Sequence, residues 1–402
     1  MTRPRRWDSR LPALAAVTAY VVGEIGAFVM PLLVSEFIEG FDLAEGTVGF
    51  VVALQLGSLA LAALLLAPRL GRFGPRRVAL AGVAMTAAGG VLTAAADDAA
   101  MLLVARALVG FGEGCIHASG TAAAARSADP ERTFSTAWLA VVGMSLAVFL
   151  LVPRLLETLG APVVFVLLGV IPLAAIPVLL RLPGPDAADA PHSSVRRVPL
   201  REWLTPTALR LCLAAGLFAI AANGAWFYAE RIGAPLGLRP TDIGSILALA
   251  SVLAAIAPPL ARAALPAIGR RACLAIAAAT VGGGVGLMTL VPSAHAFGIG
   301  VCTASVGLVF GSVVFMAIAA RLDPLGRVAV ASRGVGMAGN TLTPALAGAL
   351  LLAGGGYAAI GITALIASIL VLVLGWRAAA AIDSRLLANG QVAPADERHA
   401  QS

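Results

Sequence analysis

Windows of about 20 apolar residues, each long enough to cross a hydrocarbon core of roughly 30 Å, recur along almost the whole chain with short polar breaks between them. Twelve are legible, at approximately 11–36, 46–67, 78–96, 101–124, 134–158, 161–181, 207–229, 241–264, 272–291, 296–320, 329–354 and 357–376. A soluble globule cannot bury so many, and the composition agrees: 59% of the 402 residues are hydrophobic and 12% charged, with a mean hydropathy of +0.93. Aromatic residues make up 5% while Gly contributes 44, which suits helices packed through small residues rather than barrel strands. The expected fold class is an all-α integral membrane protein with 12 transmembrane helices.

The formal charge of +7 is carried entirely by Arg, since the chain has no Lys. With a cytoplasmic N-terminus, the odd-numbered loops hold only Arg154, Arg231 and Arg239, and the even-numbered loops and tails hold nearly all the rest. That asymmetry is a topology signal rather than a nucleic-acid footprint. The clusters Arg3, Arg5, Arg6; Arg69, Arg72, Arg76, Arg77; Arg196, Arg197, Arg201; and Arg270, Arg271 place both termini in the cytoplasm of a bacterial-type inner membrane. The basic start MTRPRR precedes an apolar run of about 26 residues containing Glu24, too long for a signal peptide and read as a first span. Cys115, Cys212, Cys273 and Cys302 lie singly within spans, without metal-ligand spacing, and read as small buried hydrophobes.

The break at 182–205 separates a six-span half at 1–181 from another at 206–377, and the tail 378–402 is expected to be disordered and cytoplasmic. The halves look related. RRVALA at 76–81 recurs as RRACLA at 270–275, and SADPERT at 127–133 answers RLDPLGR at 321–327, both 194 residues on. Six-span repeats of like orientation imply a pseudo-two-fold axis along the membrane normal. Asp129-Pro130 and Asp323-Pro324 fit helix starts, with Asp as N-cap and Pro at the first helical position.

These features resemble the major facilitator superfamily over essentially the whole chain. The family's signature between spans two and three has a counterpart in APRLGRFGPRR at 67–77, where Arg72, Gly74 and Arg76 match, while Ala67, Gly71 and Pro75 stand in place of Gly, Asp and Arg. The resemblance implies a cytoplasmic gating loop at Arg72, Gly74 and Arg76, with Arg270 and Arg271 as its repeat. Arg106 and Gly110 match the family's Arg-x-x-x-Gly pattern in span four; span five lacks a Gly-Pro pair. The resemblance also implies two bundles working by alternating access, with spans one, four, seven and ten around a central compartment.

Arg106, Glu113 and His117 interrupt span four and fall within about 40° of one line on an α-helix, so one face carries all three. Intramembrane ionisable groups point to function. At about 1.5 Å per residue, Glu24 in span one and Arg106 come to the same depth, so Glu24 is the expected partner of Arg106. Glu24, Glu113 and His117 are the candidate proton-coupling residues, and Arg106, Asn223, Trp226, Thr303 and Ser305 the candidate substrate-binding residues. Alternatives stand beside these: Arg106 with a carboxylate as a fixed ion pair, His117 bonded to a backbone carbonyl, and Trp226 with Tyr228 as interfacial anchors. Glu36, Glu230, Arg231 and Asp242 are expected to be solvated near the outer surface.

No HExxH, GxSxG elbow, CxxC or P-loop marks an enzyme or an ATP-driven pump, and GFGEG at 110–114 lies within a span. The expectation is a monomeric secondary transporter needing no cofactor, exchanging protons for a small organic solute in efflux. The alternatives are proton symport or uniport of a small organic anion bound by Arg106, or a transport-inactive receptor on the same scaffold. Its partners are the solute, protons and the lipid bilayer, with no nucleic acid.

Overall fold

The computed structural model describes residues 10–66, 69–184, 205–323 and 327–388. The clusters at Arg3, Arg5, Arg6 and at Arg196, Arg197, Arg201, most of the central loop, Ala67, Pro324 and the tail beyond residue 388 lie outside these residues. Among the described residues there is no strand, and eleven helices are long and apolar enough to cross a membrane, joined by the shorter apolar helix Pro240–Ala254. The chain divides into two compact units, Met1–Val195 and Arg196–Ser402.

The first unit comprises α1 (Arg10–Val22), α2 (Ile25–Gly40), α3 (Glu45–Leu66), α4 (Pro75–Ala94), α5 (Ala99–Ala125), α6 (Pro130–Leu159) and α7 (Ala161–Ala174). Span one is therefore interrupted: α1 and α2 form one apolar stretch, Leu11–Gly40, broken at Gly23–Glu24. Helix starts follow the sequence chemistry. The Asp98 carboxylate accepts the N–H of Met101 at 2.7 Å, and Asp129 accepts that of Arg132 at 3.0 Å with Pro130 next in line.

The second unit comprises α8 (Pro206–Asn223), α9 (Pro240–Ala254), α10 (Ala257–Leu290), α11 (Ala294–Leu322), α12 (Arg327–Leu352) and α13 (Gly356–Ala388). After α8 the chain runs through two short 3-10 turns, with the short helix Ala229–Gly233 between them, as far as Leu236, so span seven ends later than its hydropathy suggests. Span eight is broken after α9 where Pro258 and Pro259 remove two backbone donors. It continues in the first part of α10 up to Gly269, whose φ of 80° and ψ of 168° separate it from span nine. In the second half Asp323 holds the start of α12 differently from a one-turn cap, accepting the Arg327 N–H at 2.8 Å and its Nε at 2.9 Å.

The internal repeat is visible in packing. The Thr86 hydroxyl stands where a Cβ on Gly112 would be, 2.5 Å away, and Thr280 fills the same place against Gly307. Each pair lets the third span of its unit approach the fourth closely.

The last helix departs from expectation. Residues 378–388, expected to be disordered, continue α13, and Asp383 returns to the start of span nine. Its carboxylate accepts the N–H groups of Arg270 at 3.1 Å and Arg271 at 3.2 Å, with the Arg270 guanidinium 3.4 Å away. A helix start needs such acceptors and favours a negative charge. Asp383→Ala is expected to destabilise the second unit by about 1–2 kcal/mol, read as a lowered unfolding temperature in detergent.

Candidate functional site

The polar groups of the first unit converge where α5 crosses α3 and the break between α1 and α2. Gly120 of α5 lies against Ala16 and Tyr20, and Gly23 against His117, where an added Cβ would stand 2.7 Å from the His117 Cβ. This antiparallel register puts His117 level with Glu24 and places Arg106 near Val34, about ten residues further along. The expected pairing of Arg106 with Glu24 is accordingly not formed. The depth estimate fails because the helices, at about 1.5 Å per residue, are longer than the apolar core, so neither starts at its boundary.

Glu24 instead meets His117, with Oε1 3.2 Å from Nδ1. The approach lies off the line of a directed hydrogen bond, so the two groups are in contact without one. Tyr20 covers the imidazole, ring centroids 4.6 Å apart. The side chains of this pair keep 14% and 28% of their surface, His117 and Glu24 respectively.

Arg106 and Glu113 are sealed more deeply, each 4% exposed, and Gln55 of α3 stands between them fully buried. The Gln55 carbonyl accepts Arg106 Nε at 2.8 Å and also Nη2, and its amide nitrogen donates to Glu113 Oε2 at 3.0 Å. Because a guanidinium only donates, it fixes the amide with oxygen toward Arg106 and N–H toward the carboxylate. The Phe37 ring lies 5.3 Å from the guanidinium carbon. The carboxylate of Glu113 packs against the backbone of Gly26. A Cβ at Gly26 would lie 2.5 Å from the Glu113 carboxyl carbon, so glycine is what admits the carboxylate.

The span-four residues and Glu24 are thus gathered in one unit as two linked groups: an accessible acid–imidazole pair and a buried guanidinium–amide–carboxylate chain. Gln55 escaped the sequence reading. A lone amide in the apolar run 48–66 is itself the signal that would have found it.

The remaining candidates are less concentrated. Asn223 Nδ2 donates to the Ala219 carbonyl of its own helix at 2.9 Å, and Trp226 is half-buried in the turn that follows. Thr303 lines a shallow, mostly apolar groove of ≈ 570 Å³ with Thr280 and Gly284. Ser305, two residues on, is turned about 200° around α11. No hydrogen bond joins Asn223 to Thr303 or Ser305 among the described residues. Arg72 is exposed and lies over the Phe73 ring at 5.9 Å; Gly74, at φ 79°, starts α4, and the Arg76 N–H donates to the Pro183 carbonyl at 3.2 Å. Arg270 and Arg271 meet Asp383 as described. Glu230, expected to be solvated, is 9% exposed, because span seven continues past it to Leu236; Asp242 remains at the surface, capping α9 with Arg239.

A family model described as the Major Facilitator Superfamily matches residues 13–332. Among curated proteins none matches the sequence. Among solved structures, the chain is similar to a bacterial homologue of the human lysosomal transporter Spinster, at 16% identity and TM-score 0.68, with 92% of this chain and 95% of that one covered. It is also similar to the peptide transporter POT, solved as a point mutant in complex with alafosfalin, at 15% identity and TM-score 0.72, covering 94% and 97%. At such identities the likeness is one of fold.

Proposed function

The chain belongs to the Major Facilitator Superfamily and is a multi-pass membrane transporter, and from that premise we propose that it carries a small organic solute by proton-coupled alternating access, in the direction of efflux. The observation that supports this reading is the burial of Glu113 beside the more accessible Glu24–His117 pair. A carboxylate held away from water binds and releases a proton between states of different exposure, and an imidazole beside a carboxylate is a natural relay to solvent. Glu113 is the proton-carrying group, and Glu24 with His117 connects it to water.

The organic-anion reading gives Arg106 to the substrate. Its engagement by Gln55 and Phe37 at 4% exposure favours instead a role in holding Glu113. Asn223, Trp226, Thr303 and Ser305 remain the candidate solute contacts of the second unit, and Arg72, Gly74, Arg76, Arg270 and Arg271 the candidate gating loops, in a cytoplasmic-termini topology.

The test is solute-dependent proton movement in liposomes, with a panel of small organic molecules. His117→Gln is expected to slow proton exchange about tenfold or more while leaving solute binding within about twofold, as for a proton-relay group. If His117→Gln and Glu24→Gln both leave proton movement unchanged, this pair is not the relay.

A further inference from the structure

The backbone of span one is open at Gly23–Glu24. The Gly23 N–H still reaches Ala19 O at 3.1 Å, the Glu24 N–H reaches Val21 O at 3.1 Å, and the ladder resumes with Ala27 and Phe28 both donating to Glu24 O at 3.2 and 3.3 Å. Among the described residues no backbone carbonyl accepts the Gly26 N–H in the first turn of α2, and the carboxylate of Glu113 from α5 packs against this residue. No side chain of α2's own N-cap bonds to that turn. The first turn of a helix thus faces a buried carboxylate supplied from another helix, an arrangement in which the helix N-terminus favours the negative charge. Pro31, one turn further, lacks an N–H and leaves α2 a second soft point.

We propose that Glu113 is the interhelical cap of α2, and that proton binding to it loosens the Gly23–Glu24 break, making that break the hinge through which protonation alters span one. The inference rests on the reading of Glu113 as the proton-carrying group. Protonation removes the charge that favours the helix start, and it makes the charge-assisted hydrogen bond from Gln55 a neutral one about half as strong. The other groups around the carboxylate keep it placed. Gln55 from α3 and Arg106 from its own helix hold one side, Glu24 and His117 lie beside the break, and α4 presents only the neutral Thr86 to this stretch of α5. Gln55 is a positioning residue: it directs the carboxylate toward Gly26 and holds the fixed charge of Arg106 one amide away.

The experiment is hydrogen–deuterium exchange over residues 23–30 of the full chain in lipid nanodiscs, across pH and corrected with an unstructured reference peptide. Proton flux is measured on the same preparations in liposomes. Wild type is expected to lose about fivefold protection there as pH falls. Glu113→Gln, which keeps the shape but not the charge, should show the low-pH level throughout. Gly26→Ala, which crowds the carboxylate without changing any charge, should likewise be unprotected at all pH values. Protection that does not change with pH in wild type, with flux lost in Glu113→Gln, overturns the hinge and leaves the proton site standing. Protection that responds to pH equally in Glu113→Gln assigns the response to another group and overturns the hinge as well. A responsive hinge in wild type that is abolished in Glu113→Gln, with flux surviving, supports the hinge and overturns the coupling assignment.

Discussion

Glu113→Gln is expected to collapse proton-driven solute accumulation to a ratio of about one. One elementary charge moved through 100 mV is worth about 2.3 kcal/mol, which sustains a solute gradient of roughly fiftyfold in a carrier that moves one proton per cycle. A carrier that cannot exchange that proton sustains none. The substitution is close to isosteric, and Gln can still pack on Gly26 and accept from Gln55, so the folded protein should survive it. Counterflow, which needs no gradient, should continue in the same preparation. Loss of counterflow together with accumulation would mean that Glu113 serves binding or folding rather than coupling, and accumulation at the wild-type ratio would place the proton elsewhere.

The second large effect concerns Gln55. Gln55→Leu is expected to destabilise the first unit by about 3 kcal/mol, because it strips the acceptor from a buried guanidinium and a donor from a buried carboxylate. For a unit of this size that corresponds to a fall of roughly 6–12 °C in unfolding temperature. The cause is an orphaned charge rather than lost packing, since Leu fills nearly the same volume. Gln55→Leu with Arg106→Leu removes the orphaned guanidinium but leaves Glu113 buried without its cation, so the pair should recover part of the loss where Glu113 is protonated, at low pH, and the non-additivity of the pair measures the interaction. A double variant no more stable than the single would show that Arg106 is supported chiefly from elsewhere, Phe37 included.

The sequence makes the fold legible because crossing a membrane leaves a periodic mark that needs no knowledge of tertiary contacts: a helix must satisfy its own backbone. Interruptions are less legible. Gly23–Glu24, Gly269 and the Pro258–Pro259 break leave hydropathy almost untouched while changing where a helix starts, which is why spans one, seven and eight carry the largest differences. The face shared by Arg106, Glu113 and His117 follows from helical spacing and holds. Their partners do not follow, since these depend on the register between helices, which Gly23, Gly110 and Gly120 set by close approach; a Cβ at Gly110 would stand 2.8 Å from the Gln55 backbone carbon. Gln55 carries no charge and Asp383 lies beyond the last apolar window, so neither stands out until the backbone brings it to its partner.

The Asp383 contact has a bearing on the order in which the molecule is made. In the first unit, the beginning of span three is tied to the end of span six through the Arg76 N–H and the Pro183 carbonyl, a contact available once roughly half the chain has been synthesised. In the second unit the equivalent tie joins residues 270 and 383. Span nine therefore enters the membrane with its first-turn donors unmet and waits for more than a hundred further residues to leave the ribosome. The first unit can close once residue 183 has been made, whereas the second waits for residue 383, and a ribosome stalled between the two would hold a nascent chain that is finished in one half and open in the other.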